Sequence, residues 1–249
     1  MIEIPKSHPR YDSLRTREKL SKSVLEGITH HTGLIAHGRG EAFDYFLGEK
    51  TIEYAYESEK ISAAALILAE NPVISINGNV AALNPKDCIV LSNEIPAKLE
   101  INLFHRTDER VNKIYYELKR YGADKIYGRK ADANISSLDH NRGLCDRDGI
   151  YSADVVLVPL EDGDRCMALK KMGKKVIAID LNPLSRTARE ADISIIDNVI
   201  RAIPNITSWV KNFKKYDKSD LSDMVNNWEN NLMLKNTLNF ISKRLNSMF

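Results

Sequence analysis

The residues best suited to chemistry lie in the stretch KVIAIDLNPLSRTAREADISIIDN, residues 175–198. An apolar run over 176–179 ends in Asp180-Leu181-Asn182, and a second over 193–196 ends in Asp197-Asn198. Two strand-like segments thus each deliver an acid and an amide at their carboxyl ends. Between them, Pro183-Leu184-Ser185-Arg186-Thr187 makes a turn rich in groups that bind phosphate. In open α/β sheets, ligands bind outside the carboxyl ends of strands, where helix N-termini also point. The pattern suggests a nucleotide site, with Asp and Asn for base or ribose and Arg and Thr for phosphates.

Four other clusters carry suitable groups. His30, His31 and His37 invite a metal reading, and His37-Gly38-Arg39-Gly40 an anion reading in which Arg39 forks onto phosphate. A structural turn with a solvated Arg39 competes with both. Arg10, Arg15 and Arg17 fall at or before a helix start, where anions are favoured but solvated arginines are common. Asn77-Gly78-Asn79 follows an apolar run; it suits a close ligand approach or a tight hairpin turn, and the polar segment after it argues against the hairpin. His105 and Arg106 sit where a strand end feeds a helix start, the place for a second anion. Glu161, Asp162 and Asp164 suit either Mg²⁺ or a helix N-terminus, the latter slightly favoured. GxxxxGK[ST], HExxH, GxGxxG and a serine nucleophile elbow are all absent.

Elements that would position these groups can be read in order. Ser13 is placed to cap a helix that carries Leu14, Leu20 and Val24 on one face. Residues 29–40 read as a polar, glycine-punctuated loop, and 41–47 and 51–70 as helices. Residues 73–76, 88–91, 99–103, 125–127 and 155–158 read as strands. A helix is expected over 107–121, ended by Gly122, and another over 162–172, ended by Gly173. Residues 132–149 read as a loop. The alternation predicts an α/β fold with a mostly parallel sheet covered by helices on both faces, plus helical N- and C-terminal segments. Residues 1–210 form one domain in this reading. Residues 211–249 form a helical tail whose apolar positions, from Leu232 to Leu245, pack on the body or on a second subunit.

Composition narrows the partners. The chain has 249 residues, 43% hydrophobic and 28% charged, with net charge +2. That balance supplies no basic field for nucleic acid. No apolar stretch is long enough for a bilayer, so no membrane is expected. Cys88, Cys145 and Cys166 are far apart, which argues against a disulfide framework or zinc site and for a cytoplasmic location.

Together GITHHTGLIAHGRGEAFDYFLGE, PVISINGNVAAL, EINLFHRTDER, ADVVLVPLEDGDR and VIAIDLNPLSRTAREADISIIDNVIRAIPNI resemble the archaeal phosphopantothenate synthetase family, the 4-phosphopantoate–β-alanine ligases, over residues 4–206. The resemblance implies a Rossmann-like homodimer that uses ATP, with Mg²⁺, to join 4-phosphopantoate to β-alanine. It places ATP contacts on Arg17, Arg39, Asp180, Leu181, Asn182, Arg186, Thr187, Asp197 and Asn198. An acyl-adenylate route needs cations at the phosphates, so Arg17, Arg39 and Arg186 are expected to supply electrostatic stabilisation. It needs no nucleophilic side chain. His37 or His105 is the candidate for taking the amine's proton. Asn77, Asn79 and Arg106 are substrate candidates by location. An ATP-dependent phosphotransferase and a non-catalytic nucleotide sensor are the competing readings.

Overall fold

The computed structural model describes residues 4–160 and 163–248, so the reading of Glu161 and Asp162 lies outside the described residues. Helix α1 (Tyr11–Leu25) buries Thr16, Leu20 and Ser23, spaced along one face. Ser13 is not its cap: the helix starts earlier, and the Ser13 hydroxyl donates instead to Glu41 Oε1 at 2.5 Å.

Helix α2 (His31–Leu47) corrects the expected loop over residues 29–40. Its buried face is His37, Glu41, Asp44 and Leu47, which has helical spacing but is mostly polar. A search for apolar periodicity misses such a face. Each internal glycine costs about 1 kcal/mol of helix propensity. Gly33 offsets this by close approach, since a Cβ there would lie 2.5 Å from Asn79 Oδ1. The His30 imidazole caps the helix by accepting the Thr32 N–H.

Helix α3 (Glu53–Leu68), with Ala63, Ala64 and Ala65 all buried, leads into β1 (Val73–Ile76). The short α4 (Gly78–Leu83) and α5 (Pro85–Glu94) follow. Residues 88–91, expected as a strand, belong to α5. Pro85 sits in its first turn, and Cys88, Leu91 and Ser92 are buried at helical spacing. A four-residue apolar run does not separate strand from helix; the proline at the helix start does.

Strand β2 (Lys98–Ile101) and helix α6 (Asp108–Arg120), capped by Thr107, precede β3 (Ile126–Tyr127). The expected loop over 132–149 contains a small antiparallel pair, β4 (Ala133–Asn134) and β5 (Leu144–Cys145), joined through a single 3-10 turn at Asn141–Gly143. Then come β6 (Val155–Pro159), α7 (Gly163–Lys171), β7 (Lys175–Ile179), α8 (Arg186–Glu190), β8 (Ile193–Ile195) and α9 (Val199–Phe213). The tail forms α10 (Lys218–Asn226) and α11 (Asn230–Asn246).

Six strands pair in the order β3-β2-β1-β6-β7-β8, and every described pairing among them is parallel. Alternate residues feed opposite layers: Val155 and Leu157 face one core cluster, Val156 and Val158 the other. The first layer is covered by α3, α5, α6 and α9, the second by α7 and the segment around β4 and β5. Helix α11 packs on the body, where Met233, Leu234 and Ile241 join Leu47, Ile52 and Leu181. Its Asn230 also closes the β8 edge by accepting the Ser194 N–H at 2.8 Å. No helix is long and apolar enough to cross a membrane among the described residues.

Candidate active site

The strand order reverses between β1 and β6, so the chain leaves their carboxyl ends in opposite directions and opens a crevice. A cleft of about 670 Å³ occupies this place. Arg39 of α2, Arg110 of α6 and Arg142 of the 3-10 turn line it, against the single described carboxylate Asp164. Imidazoles of His30, His105 and His140 line it as well. Such a surface suits a polyanion.

Asn77 and Asn79 border the cleft and frame it. The Asn77 side chain accepts the Val80 N–H at 3.0 Å, starting α4, and donates to the Pro159 and Leu160 carbonyls at 2.9 and 3.2 Å. It therefore ties the two strands whose divergence makes the crevice. Asn79 donates to the Gly33 carbonyl at 2.9 Å and fixes the start of α2.

On the β2 side, the His105 ring stacks on His30 at 3.9 Å between centroids. Burial first, then His105, His31 and Arg110, lower the His30 pKa; that favours the neutral ring its capping role requires. Arg106 turns away from the main cleft, donating to the Gly128 carbonyl at 2.8 Å and lining a side recess with His105. Arg142 is delivered by a clamp: Asn102 donates to the Arg142 and Leu144 carbonyls at 3.1 and 3.0 Å. Nearby, Glu100 accepts the Asp146 and Ile150 N–H groups, and burial pushes its pKa up to about 7.

On the β7 side, Asp180 builds the turn. Its carboxylate accepts the Ser185 hydroxyl at 2.6 Å and the Asn182 N–H at 3.0 Å, while burial raises its pKa. Asn182 in turn accepts the Leu184 N–H at 2.9 Å, and Leu181 is buried against α2 and α11. Arg186 opens α8 and pairs with Asp164 at 2.6 Å across the cleft wall; both are exposed. Thr187 is buried. A Cβ on Gly163 would meet Arg186 Cβ at 2.6 Å, so this glycine lets the starts of α7 and α8 abut. Arg39 reaches the same side, where its charge acts on Asp180, and no described carboxylate forms an ion pair with it.

Of the other expected ATP contacts, Asp197 and Asn198 follow β8, which pairs beside β7, and Arg17 lies on α1. Asp197 is buried and bonded to Thr51 at 2.6 Å and to Arg201 at 2.5 Å. Asn198 donates to Asp44 at 3.0 Å, and Arg201 also grips Asp44 at 2.6 Å. Neighbouring Glu59, held by Asn205 at 2.9 Å, has a pKa pushed up to about 9 by burial and by the charge of Asp197. The sequence shows no sign of Asp44 or Glu59, because their partners lie 146 to 157 residues away; Arg201 pairs locally with Asp197 and remotely with Asp44. Arg17 Nε donates to both Glu41 carboxylate oxygens, at 3.0 and 3.1 Å. That hydrogen bond raises the Arg17 pKa; burial opposes it, but Arg17 and Ser13 hold Glu41 below its ordinary value. His37 is buried, with its pKa lowered by that burial, and lines a separate cavity of about 270 Å³ with Glu41, Asp44 and Arg201. Of the two candidate bases, only His105 lines the main cleft. The metal reading of His30, His31 and His37 finds no support: no three-residue His, Cys, Asp or Glu group is placed to hold a metal among the described residues.

Fold and cleft together define a Rossmann-type α/β protein with a cationic crevice at the sheet's switch point, suited to phosphorylated small molecules. A family model described as phosphopantothenate/pantothenate synthetase matches residues 54–244. A relative named 4-phosphopantoate–β-alanine ligase from Thermococcus onnurineus is 51% identical over 249 residues, covering 100% of this chain and 95% of the relative. Relatives of the same name from Thermococcus kodakarensis and Methanosarcina mazei are 52% and 50% identical, covering 98% and 100% of this chain and 94% and 98% of their own lengths. The chain belongs to the phosphopantothenate/pantothenate synthetase family.

Proposed function

We propose that this protein is an ATP-dependent ligase that joins 4-phosphopantoate to β-alanine, giving 4′-phosphopantothenate, AMP and pyrophosphate, in coenzyme A biosynthesis. The observation that carries the reading is the arginine-lined cleft at the β1–β6 switch point in a chain of this family. Two of the three substrates, ATP and 4-phosphopantoate, are polyanions, and the cleft offers three guanidinium groups against one described carboxylate.

A carboxylate is a poor acyl donor until its oxygen carries a better leaving group. The carboxylate oxygen attacks the α-phosphorus of ATP, the bond to the bridging oxygen breaks, and pyrophosphate leaves with the electron pair. The neutral amine of β-alanine then attacks the acyl carbon, the acyl C–O bond breaks, and AMP leaves. Arg39 and Arg186 hold the nucleotide's phosphates at the β7–α8 turn and neutralise the charge that develops there. His105, one of the imidazoles lining the cleft, takes the amine's proton in this account. Asp164 fits a magnesium ion carried mainly by the nucleotide, since Mg²⁺ is often bound by one or two carboxylates plus phosphate oxygens. Such an ion supplies further neutralisation of the polyphosphate.

We further propose a homodimer formed through α2. Leu34, Ile35, Ala42, Tyr45 and Phe46 are exposed along one stripe of that helix. The three cysteines are free and buried, which fits a cytoplasmic enzyme. The adenylate route is tested with 4-phosphopantoate carrying heavy oxygen in its carboxylate. One labelled oxygen is expected in AMP and none in pyrophosphate. AMP without the label would contradict the route.

A further inference from the structure

Arg110 poses a problem that the ligase reading alone does not solve. It is half-buried at the β2 side of the cleft, and burial lowers its pKa. Its guanidinium donates to the Ile28 carbonyl at 2.9 Å and to the His105 carbonyl, and its Nε is buried without a partner. No described carboxylate forms an ion pair with it. A cation removed from water without a counter-charge is costly, and neutral carbonyls repay only part of that cost. The fold nevertheless makes room for it: a Cβ on Gly78 would sit 2.8 Å from Arg110 Nη2 and 2.5 Å from the Ile28 carbonyl. Gly78 thus admits the guanidinium to the crevice.

Arg142 lines the same cleft and is buried, with its backbone clamped by Asn102. Asn102 lies just beyond β2, and Arg110 lies in α6, which follows β2. The sheet order puts β2 on one side of the switch point and β7 on the other. Arg39 and Arg186 act on the β7 side. Two cationic ends therefore flank the Asn77–Leu160 tie.

We infer that Arg110 and Arg142 bind the phosphate monoester of the acid substrate, leaving Arg39 and the β7–α8 turn for the nucleotide. The inference rests on the ligase reading for the identity of the acid. Two guanidinium groups match a dianion, whereas the β-alanine carboxylate needs only one. The acid then lies across the crevice, its phosphate at the β2 side and its carboxylate toward the α-phosphate of ATP. Arg110 and Arg142 are in this account the residues that distinguish 4-phosphopantoate from pantoate.

The test is calorimetric binding of 4-phosphopantoate and of pantoate to the wild type, Arg110→Ala and Arg110→Lys, with no turnover needed. The wild type is expected to prefer the phosphorylated acid. Arg110→Ala should reduce that preference about 10- to 100-fold, as loss of charged hydrogen bonds does. Arg110→Lys should fall between, because it keeps the charge and loses the fork. An unchanged preference in folded variants, or an equal loss for both acids, would overturn the inference. So would a rise in the KM for β-alanine instead of 4-phosphopantoate. If Arg110→Ala does not fold, methyl phosphate is used as inhibitor of the wild type. Competition with 4-phosphopantoate supports the subsite, and competition with ATP alone overturns it. A wild type that binds both acids alike removes the subsite but leaves the ligase reading standing; a wild type that makes no AMP removes the ligase reading.

Discussion

Arg39 is exposed and forms no described ion pair, so removing it should cost the fold little and the reaction much. Arg39→Ala is expected to lower kcat/KM about 100- to 1,000-fold with an unchanged melting curve. Near-normal turnover would remove it from the phosphate site. Glu59 shows the opposite kind of group, buried and held protonated, with its pKa pushed up to about 9. Because its folded pKa exceeds its unfolded value, its contribution to stability is complete below about pH 4.5 and is lost as pH rises to about 9. Glu59→Gln keeps the shape without the proton, so the melting temperature should fall less between pH 5 and pH 8 than in the wild type. Parallel melting curves across that range would contradict this. Arg39 was legible in the sequence because a guanidinium between two glycines stands out. Arg110 was not, because its meaning depends on Gly78 and on the Ile28 carbonyl, both remote in sequence.

At the scale of elements, α2 is the piece that the sequence concealed. Its inward face carries His37, Glu41 and Asp44, and the two carboxylates pair with Arg17 of α1 and with Arg201 and the cap Asn198 of α9. Polar pairing replaces apolar periodicity, so the helix looked like a loop. The terminal glycines of α6 and α7 were read correctly, since Gly122 and Gly173 do take the left-handed backbone that ends a helix. Arg201 joins two acids, Asp44 and Asp197, that are almost fully buried. Arg201→Ala leaves both without their cation and is expected to cost about 3–5 kcal/mol in denaturant unfolding. A loss below about 1 kcal/mol would show that the network contributes little.

For the whole molecule, the six strands of the main sheet were legible, though 88–91 was mistaken for a further one, and their order was not. Periodicity marks an apolar run and says nothing about its neighbour; the switch point exists only once β1 pairs with β6. That pairing turns Asn77, read as a ligand group, into the tie between the two strand ends. The exposed stripe of α2 bears on assembly. Ile35→Asp should convert a dimer to a monomer in sedimentation, and a monomeric wild type would contradict the proposed interface.

The most direct measurement is the nucleotide product formed from ATP and Mg²⁺ with 4-phosphopantoate and β-alanine, each omitted in turn. AMP and pyrophosphate, formed together with 4′-phosphopantothenate only when both co-substrates are present, are the predicted result. ADP, or AMP formed without either acceptor, would contradict the ligase.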